Sequence, residues 1–86
     1  MKTIYKYELE GRHVTMLKMP KGASVVSFDM QNGKYCIWAI VDTDSPMEER
    51  HFTVVGTGWE LDGDECYIGT IMQGAFVWHC LEVSNG

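Results

Sequence analysis

No cluster of lysine and arginine occurs anywhere in the 86 residues: seven basic side chains face twelve acidic ones, and the net charge is −5. Neutralising a run of phosphates needs a basic stripe, so sequence-independent binding of DNA or RNA is disfavoured, while a single small anion held by local donors is still permitted. No apolar run approaches the ~18 residues that cross a bilayer, so no membrane partner is expected. The opening stretch MKTIYKYELEG alternates polar and apolar residues where a secretory leader would need an unbroken apolar segment. The cysteines, Cys36, Cys66 and Cys80, are odd in number and lack CxxC spacing. They therefore read as reduced, buried small hydrophobes of a cytoplasmic protein, not as a metal cage or a disulfide framework. Amphipathic helix, linker and internal repeat are missing as well, which leaves one domain over residues 1–86. A chain of this length buries only roughly 60 to 65% of its unfolded surface, so association of subunits would add needed stability.

What is present is β structure. Residues 24–31 and 34–41 are apolar-rich runs joined by Asn32-Gly33, the strongest short-range hairpin signal, because a type I′ turn needs positive φ at both central positions. A two-residue turn pairs Met30 with Tyr35, Phe28 with Ile37 and Val26 with Ala39 on one apolar face. The opposite face pairs Ser27 with Trp38 and Val25 with Ile40, and it also carries Cys36. A strand that is apolar on both faces is either covered on both sides or lies at a subunit contact. Val25, Cys36, Trp38 and Ile40 are thus the candidate interface of a homo-oligomer.

Around this centre, residues 3–9 alternate as a strand, Glu10-Gly11-Arg12 turns the chain, and residues 13–19 form a second strand expected to pair with the first. Residues 50–55, 67–72 and 75–83 supply further strands, and a turn at Gln73-Gly74 places Gly69 opposite Trp78, leaving space for the indole. Residues 42–49 and 60–65 are acidic connections. The first has the composition of an exposed loop or one short helical turn capped by Ser45. Six to seven short strands built from hairpins predict an all-β fold, a small antiparallel β-sandwich or barrel.

Catalytic chemistry is hard to find. Cys80 follows His79 on a strand, so the two side chains point to opposite faces and cannot cooperate, and His79 reads as a core or interface histidine. His13 and His51 read as surface strand residues. Neither acidic stretch has the alternating ligands and central glycine of a calcium loop, so no metal and no cofactor is expected. The best ligand candidate is Gly56-Thr57-Gly58-Trp59, where bare backbone can approach a phosphate while the indole stacks on a base. Arg50 and Lys21 are the cations expected to accompany it.

The succession IYKY (4–7), MPKGA (19–23), QNGKYCIWAIVD (31–42), EERHFTVVGTG (48–58), YIGT (67–70) and GAFVWH (74–79) is similar to a family of short phage and prophage proteins carried under a domain of unknown function. The resemblance covers nearly the whole chain. Where many members carry an aspartate-proline-rich turn, this chain has DTDSPMEE at 42–49. The family implies no enzyme activity and no catalytic residues. It implies a phage accessory protein acting in the cytoplasm of an infected bacterium, where small β-rich oligomers serve as counter-defence agents. Two expectations follow: a homo-oligomer that sequesters a small nucleotide-derived immune signal, or an acidic inhibitor that binds a host protein directly. A minor virion or accessory role is a third.

Overall fold

Strand-forming residues carry almost the whole chain: β1 (Lys2–Leu9), β2 (Thr15–Pro20), β3 (Ser24–Gln31), β4 (Lys34–Asp42), β5 (Met47–Gly56), β6 (Glu65–Gln73) and β7 (Phe76–Val83). The structure, a computed structural model, describes residues 1–11 and 13–84; Arg12, in the turn expected at 10–12, lies outside the described residues. Every paired strand is antiparallel, and the strands form two sheets ordered β1-β4-β3 and β2-β5-β7-β6. No helix occurs among the described residues. The result is a small β-sandwich, which decides between the two architectures the sequence allowed.

The central hairpin forms as expected. Asn32 and Gly33 take φ of 53° and 78°, the positive values that a type I′ turn requires, and Gln31 pairs with Lys34, Met30 with Tyr35 and Phe28 with Ile37. Beyond Ser27 an irregularity shifts the register by one, so that Val25, not Val26, stands opposite Ala39. One extra residue in one strand exchanges the faces of everything beyond it. Val25 therefore packs against the core and Val26 is exposed. The last hairpin turns at Gly74-Ala75, one residue later than expected, which sets Gly69 opposite Cys80 and Ile71 opposite Trp78; a second irregularity lies between Tyr67 and Gly69. The glycine therefore makes no room for the indole. A Cβ at Gly69 would lie 3.5 Å from Cβ of Phe28 on the facing sheet, an ordinary contact distance.

The expected pairing of the first two strands does not occur. β1 pairs with β4 from Lys2↔Asp42 to Leu9↔Tyr35, and β2 pairs with β5 from Thr15↔Phe52 to Pro20↔Met47. A strand that carries apolar groups on both faces, as β4 does, gains more as the centre of a sheet than at its edge, and β1 completes that sheet. The inner faces contribute Ile37, Ala39, Val41 and Phe28 from one side and Met19, Phe52, Val54 and Cys80 from the other, all buried.

Residues 42–49 form neither a helix nor a long loop, because β5 begins at Met47. Asp42 closes the tight turn: its Oδ1 accepts the Asp44 amide (3.0 Å), its carbonyl accepts the Ser45 amide (3.1 Å), and the Met1 ammonium donates to Asp42 (3.2 Å) and Asp44 (2.8 Å). The Asp44 amide, then the ammonium, holds the Asp42 carboxyl below its ordinary 3.8. Hydrogen bonds donated to Asp44 and then to Asp42 raise the ammonium above its ordinary 8.0. A depressed carboxyl stabilises the fold above its unfolded value and loses that contribution as pH falls through its folded value; a raised ammonium stabilises below 8.0 and loses its contribution as pH rises past its folded value. The urea midpoint is therefore expected to be flat between about pH 5 and 8 and to fall on either side. N-terminal acetylation is expected to remove the part of the alkaline fall that begins near 8.0 and to leave the part that the buried Cys80 thiol causes above its ordinary 9.0.

Candidate functional site

β5 and β6 run parallel, with β7 hydrogen-bonded between them, so the connection 57–64 crosses β7 over the length of the sheet. The inner face is filled by the other sheet, and the crossover lies on the outer face. Between it and the strands is a cleft of about 330 Å³, lined by Val55, Gly56, Thr57, Gly58, Trp59, Leu61, Glu65, Tyr67, His79 and Leu81. Its volume is at the lower end of the range for small-ligand sites.

The crossover starts with a turn in which the Trp59 amide donates to the Gly56 carbonyl (3.2 Å), with Gly58 at φ 88°. The indole of Trp59 then lies on the bare face of Gly56, where a Cβ would meet Nε1 at 2.8 Å and Cε2 at 2.9 Å. Trp59 also meets Trp78 edge to face at 5.9 Å, and Trp78 stacks with Phe76 at 5.7 Å and meets Tyr35 at 6.0 Å. Gly56 is thus the seat of an aromatic group that closes one end of the sandwich. Gly56→Ala is expected to lift the indole, shown by a red-shifted tryptophan emission and a loss of about 1 to 3 kcal/mol of stability, the usual cost of overpacking.

His79 faces the cleft, not the core. Its Nε2 is 2.7 Å from Thr57 Oγ1 and its Nδ1 is 2.8 Å from Thr70 Oγ1, which in turn bonds the Tyr67 hydroxyl. Both ring nitrogens are therefore satisfied by hydroxyls, one accepting and one donating for a neutral imidazole. His79 and Tyr67 are site residues that the sequence reading missed. Alternation with buried Cys80 carries the signal for His79: it puts the ring on the outer face, so of the core and interface readings the core one fails. At the far end of the cleft Glu65 accepts the amides of Asp62 and Gly63, each at 2.8 Å, and these bonds, Asp62 first, hold its carboxyl below the ordinary 4.5. Asp62, Asp64 and Glu65 lie close enough to share a cation but are largely exposed.

Of the expected ligand residues, Gly56, Thr57, Gly58 and Trp59 come together; Arg50 and Lys21 do not join them. Lys21 sits in the turn before β3, its amide bonded to the Pro46 carbonyl at 2.7 Å, at the opposite end of the sandwich. Arg50 is six residues along β5 from Gly56, about 20 Å by strand rise. Its guanidinium is forked onto Glu82 (2.7 and 2.8 Å) and also donates to the Ala23 carbonyl. The hydrogen bonds it donates to Glu82 raise the Arg50 pKa above its ordinary value, so this charge is fixed in a structural pair.

Among the interface candidates, Trp38 and Ile40 lie on the outer face of the three-stranded sheet, joined by Ile4 and Val26. Val25 has turned inward, and Cys36, also on the outer side, is fully covered by its neighbours. Cys66 departs from the expectation of three buried thiols: it is exposed, whereas Cys36 and Cys80 are buried. Burial pushes the Cys80 thiol up to about 12. Native protein is therefore expected to react with a thiol reagent at Cys66 alone and at all three cysteines after denaturation, which peptide mapping reads directly.

These features define a small two-sheet antiparallel β-sandwich with an aromatic cleft under a crossover on its outer face. No helix among the described residues is long and apolar enough to cross a membrane. A family model described as a domain of unknown function, DUF7352, matches residues 1–86, and the chain belongs to that family. Nothing among curated proteins or solved structures matches it.

Proposed function

We propose that the protein is a non-enzymatic binding module that uses its 51–86 half to engage a basic surface of a partner protein. The observation that carries this reading is a segregation of charge: all seven lysines and arginines precede residue 51, while Glu60, Asp62, Asp64, Glu65 and Glu82 follow it. The same half exposes Trp59, Leu61, Tyr67, Met72 and Phe76. Aromatic groups ringed by charge of one sign suit a partner with apolar groups ringed by the opposite sign. A nucleotide-derived ligand is less well served, since neither Arg50 nor Lys21 reaches the Gly56–Trp59 turn and no other lysine or arginine follows it. In biological terms the module is a phage accessory protein that inhibits a host defence protein in the bacterial cytoplasm, as its resemblance to phage and prophage proteins implies.

The test is capture of host proteins on immobilised protein with stepwise salt elution. One basic protein is expected to be held at low salt, released as salt rises, and lost to a Glu60→Lys, Asp62→Lys, Asp64→Lys variant. Capture untouched by that charge reversal overturns the reading, as does calorimetric heat with cyclic dinucleotides or cyclic ADP-ribose isomers.

The opposite sheet serves self-association on this reading. Its outer face groups Ile4, Val26, Trp38 and Ile40 beside Lys6, Glu8, Lys34 and Asp29. An apolar patch bordered by both charge signs can complement its own copy across a two-fold axis. Native mass spectrometry is expected to show a dimer that Ile40→Lys converts to a monomer.

A further inference from the structure

The crossover cleft lies within the surface proposed to bind a partner, and its own chemistry narrows what enters it. Three of its four side-chain donor hydrogens are spent within the site: Thr57 bonds His79, His79 bonds Thr70, and Thr70 bonds Tyr67. What it offers an incoming group is the ring of Tyr67, the apolar side chains of Leu61 and Leu81, and the carboxylate of Glu65, with Trp59 at the end where its indole turns toward Trp78. That carboxylate is pinned by two backbone amides, so it is held in place before any ligand arrives. No lysine or arginine of residues 51–86 competes for it.

An anion would meet the Glu65 carboxylate with no lysine or arginine of residues 51–86 to offset it, and a neutral apolar group would leave the carboxylate unanswered. A cation on an apolar stem answers every feature. Between the two cationic side chains, the planar, weakly hydrated guanidinium stacks on aromatic faces and bonds a carboxylate through a fork, whereas the compact ammonium carries its water tightly. We infer that the cleft receives an arginine side chain of the partner, its guanidinium against Tyr67 and directed to Glu65, its stem along Leu61 and Leu81. This rests on the protein-binding reading above and names the anchor residue that reading requires.

The probe is N-acetyl-arginine amide, titrated into uniformly labelled protein and followed at the Trp59 indole N–H and the backbone amides of residues 61–65. The neutral isostere N-acetyl-citrulline amide and the lysine analogue are the comparisons. Saturable shifts are expected with arginine amide, at least five-fold weaker with the lysine analogue and absent with citrulline. Glu65→Gln is expected to weaken the arginine response at least five-fold. Because that change also touches the amides of Asp62 and Gly63, Tyr67→Leu serves as a second variant and is expected to weaken it by a similar factor.

Equal shifts with arginine and citrulline, or no shifts with arginine, overturn the inference. If arginine gives no shifts while salt-sensitive capture of a basic partner persists, the arginine anchor falls and the wider reading stands. Arginine-specific shifts without any such capture support the cleft assignment and count against the wider reading.

Discussion

Phe52→Ala is expected to cost about 3 to 5 kcal/mol, the usual penalty for emptying a buried phenylalanine site. Phe52 is the largest fully buried side chain, with no exposed surface, on a strand flanked by β2 and β7. Neighbours on two hydrogen-bonded strands are held by their ladders and cannot collapse into the space, so the upper part of that range applies. A domain of this length has roughly 4 to 13 kcal/mol to lose at about 0.05 to 0.15 kcal/mol per residue. The melting temperature is therefore expected to fall by roughly 15 to 30 °C. Phe52→Leu, which keeps most of the volume, is expected to cost only about 1 to 2 kcal/mol. Thermal and urea denaturation followed by circular dichroism measures both, and an alanine variant as stable as the leucine variant would show that the site closes over the gap.

The second large effect lies at Arg50 and Glu82. Their exposures are 17% and 27%, low enough that neither charge is fully hydrated once its partner is gone. Arg50 also lies over the Phe52 ring at 5.6 Å and donates to the Ala23 carbonyl, so it joins β5 to the segment that leads into the facing sheet. Glu82→Leu leaves a guanidinium with one acceptor in a half-buried site and is expected to cost about 2 to 4 kcal/mol. Adding Arg50→Met removes the stranded charge, and the double variant is expected to recover at least half of that loss, because an apolar pair of similar volume often replaces an ion pair without penalty. A double-mutant cycle in urea reads the difference. Strict additivity of the two single changes would mean that the fork onto Glu82 contributes nothing beyond its parts.

The parts of the fold that were legible in the sequence are those in which local chemistry determines geometry. Asn32-Gly33 fixes a turn because only residues tolerant of positive φ fit there, and the register for several pairs beyond it follows by counting. The counting fails at Val26, where one unpaired residue exchanges faces, and the sequence around it carries no mark of that event. At Gly69 the expected neighbour is displaced because the hairpin turns at Gly74-Ala75, one residue beyond Gln73-Gly74, while the glycine itself is the mark of the bulge beside it. The partners of β1 and β2 were illegible for a different reason: pairing between residues 26 to 40 positions apart depends on the balance of the whole core, not on any neighbouring residue.

The candidate site divides in the same way. Gly56, Thr57, Gly58 and Trp59 were visible as a glycine turn before an aromatic group. Tyr67 and His79 join them only because β7 is inserted between β5 and β6, which forces the crossover onto the outer face. Charge alone singles out Arg50 and Lys21 in the sequence, and the direction of β5 carries both away from the turn, Arg50 onto Glu82 and Lys21 beside Pro46.

The strand order also governs how the chain comes to be folded during synthesis. β1 has no partner until β4 has emerged, β2 none until β5, and β6 none until β7. Of the successive pairs in the first half, only β3 and β4 can zip together as soon as they leave the ribosome. Such non-local pairing places folding in the millisecond-to-second range typical of all-β domains. A ribosome adding roughly 5 to 20 residues per second therefore exposes unpaired apolar strands for seconds before β7 arrives. Chains that stop short of β7 lack the strand that joins β5 to β6, and they become substrates for chaperones and proteases before they can bind anything.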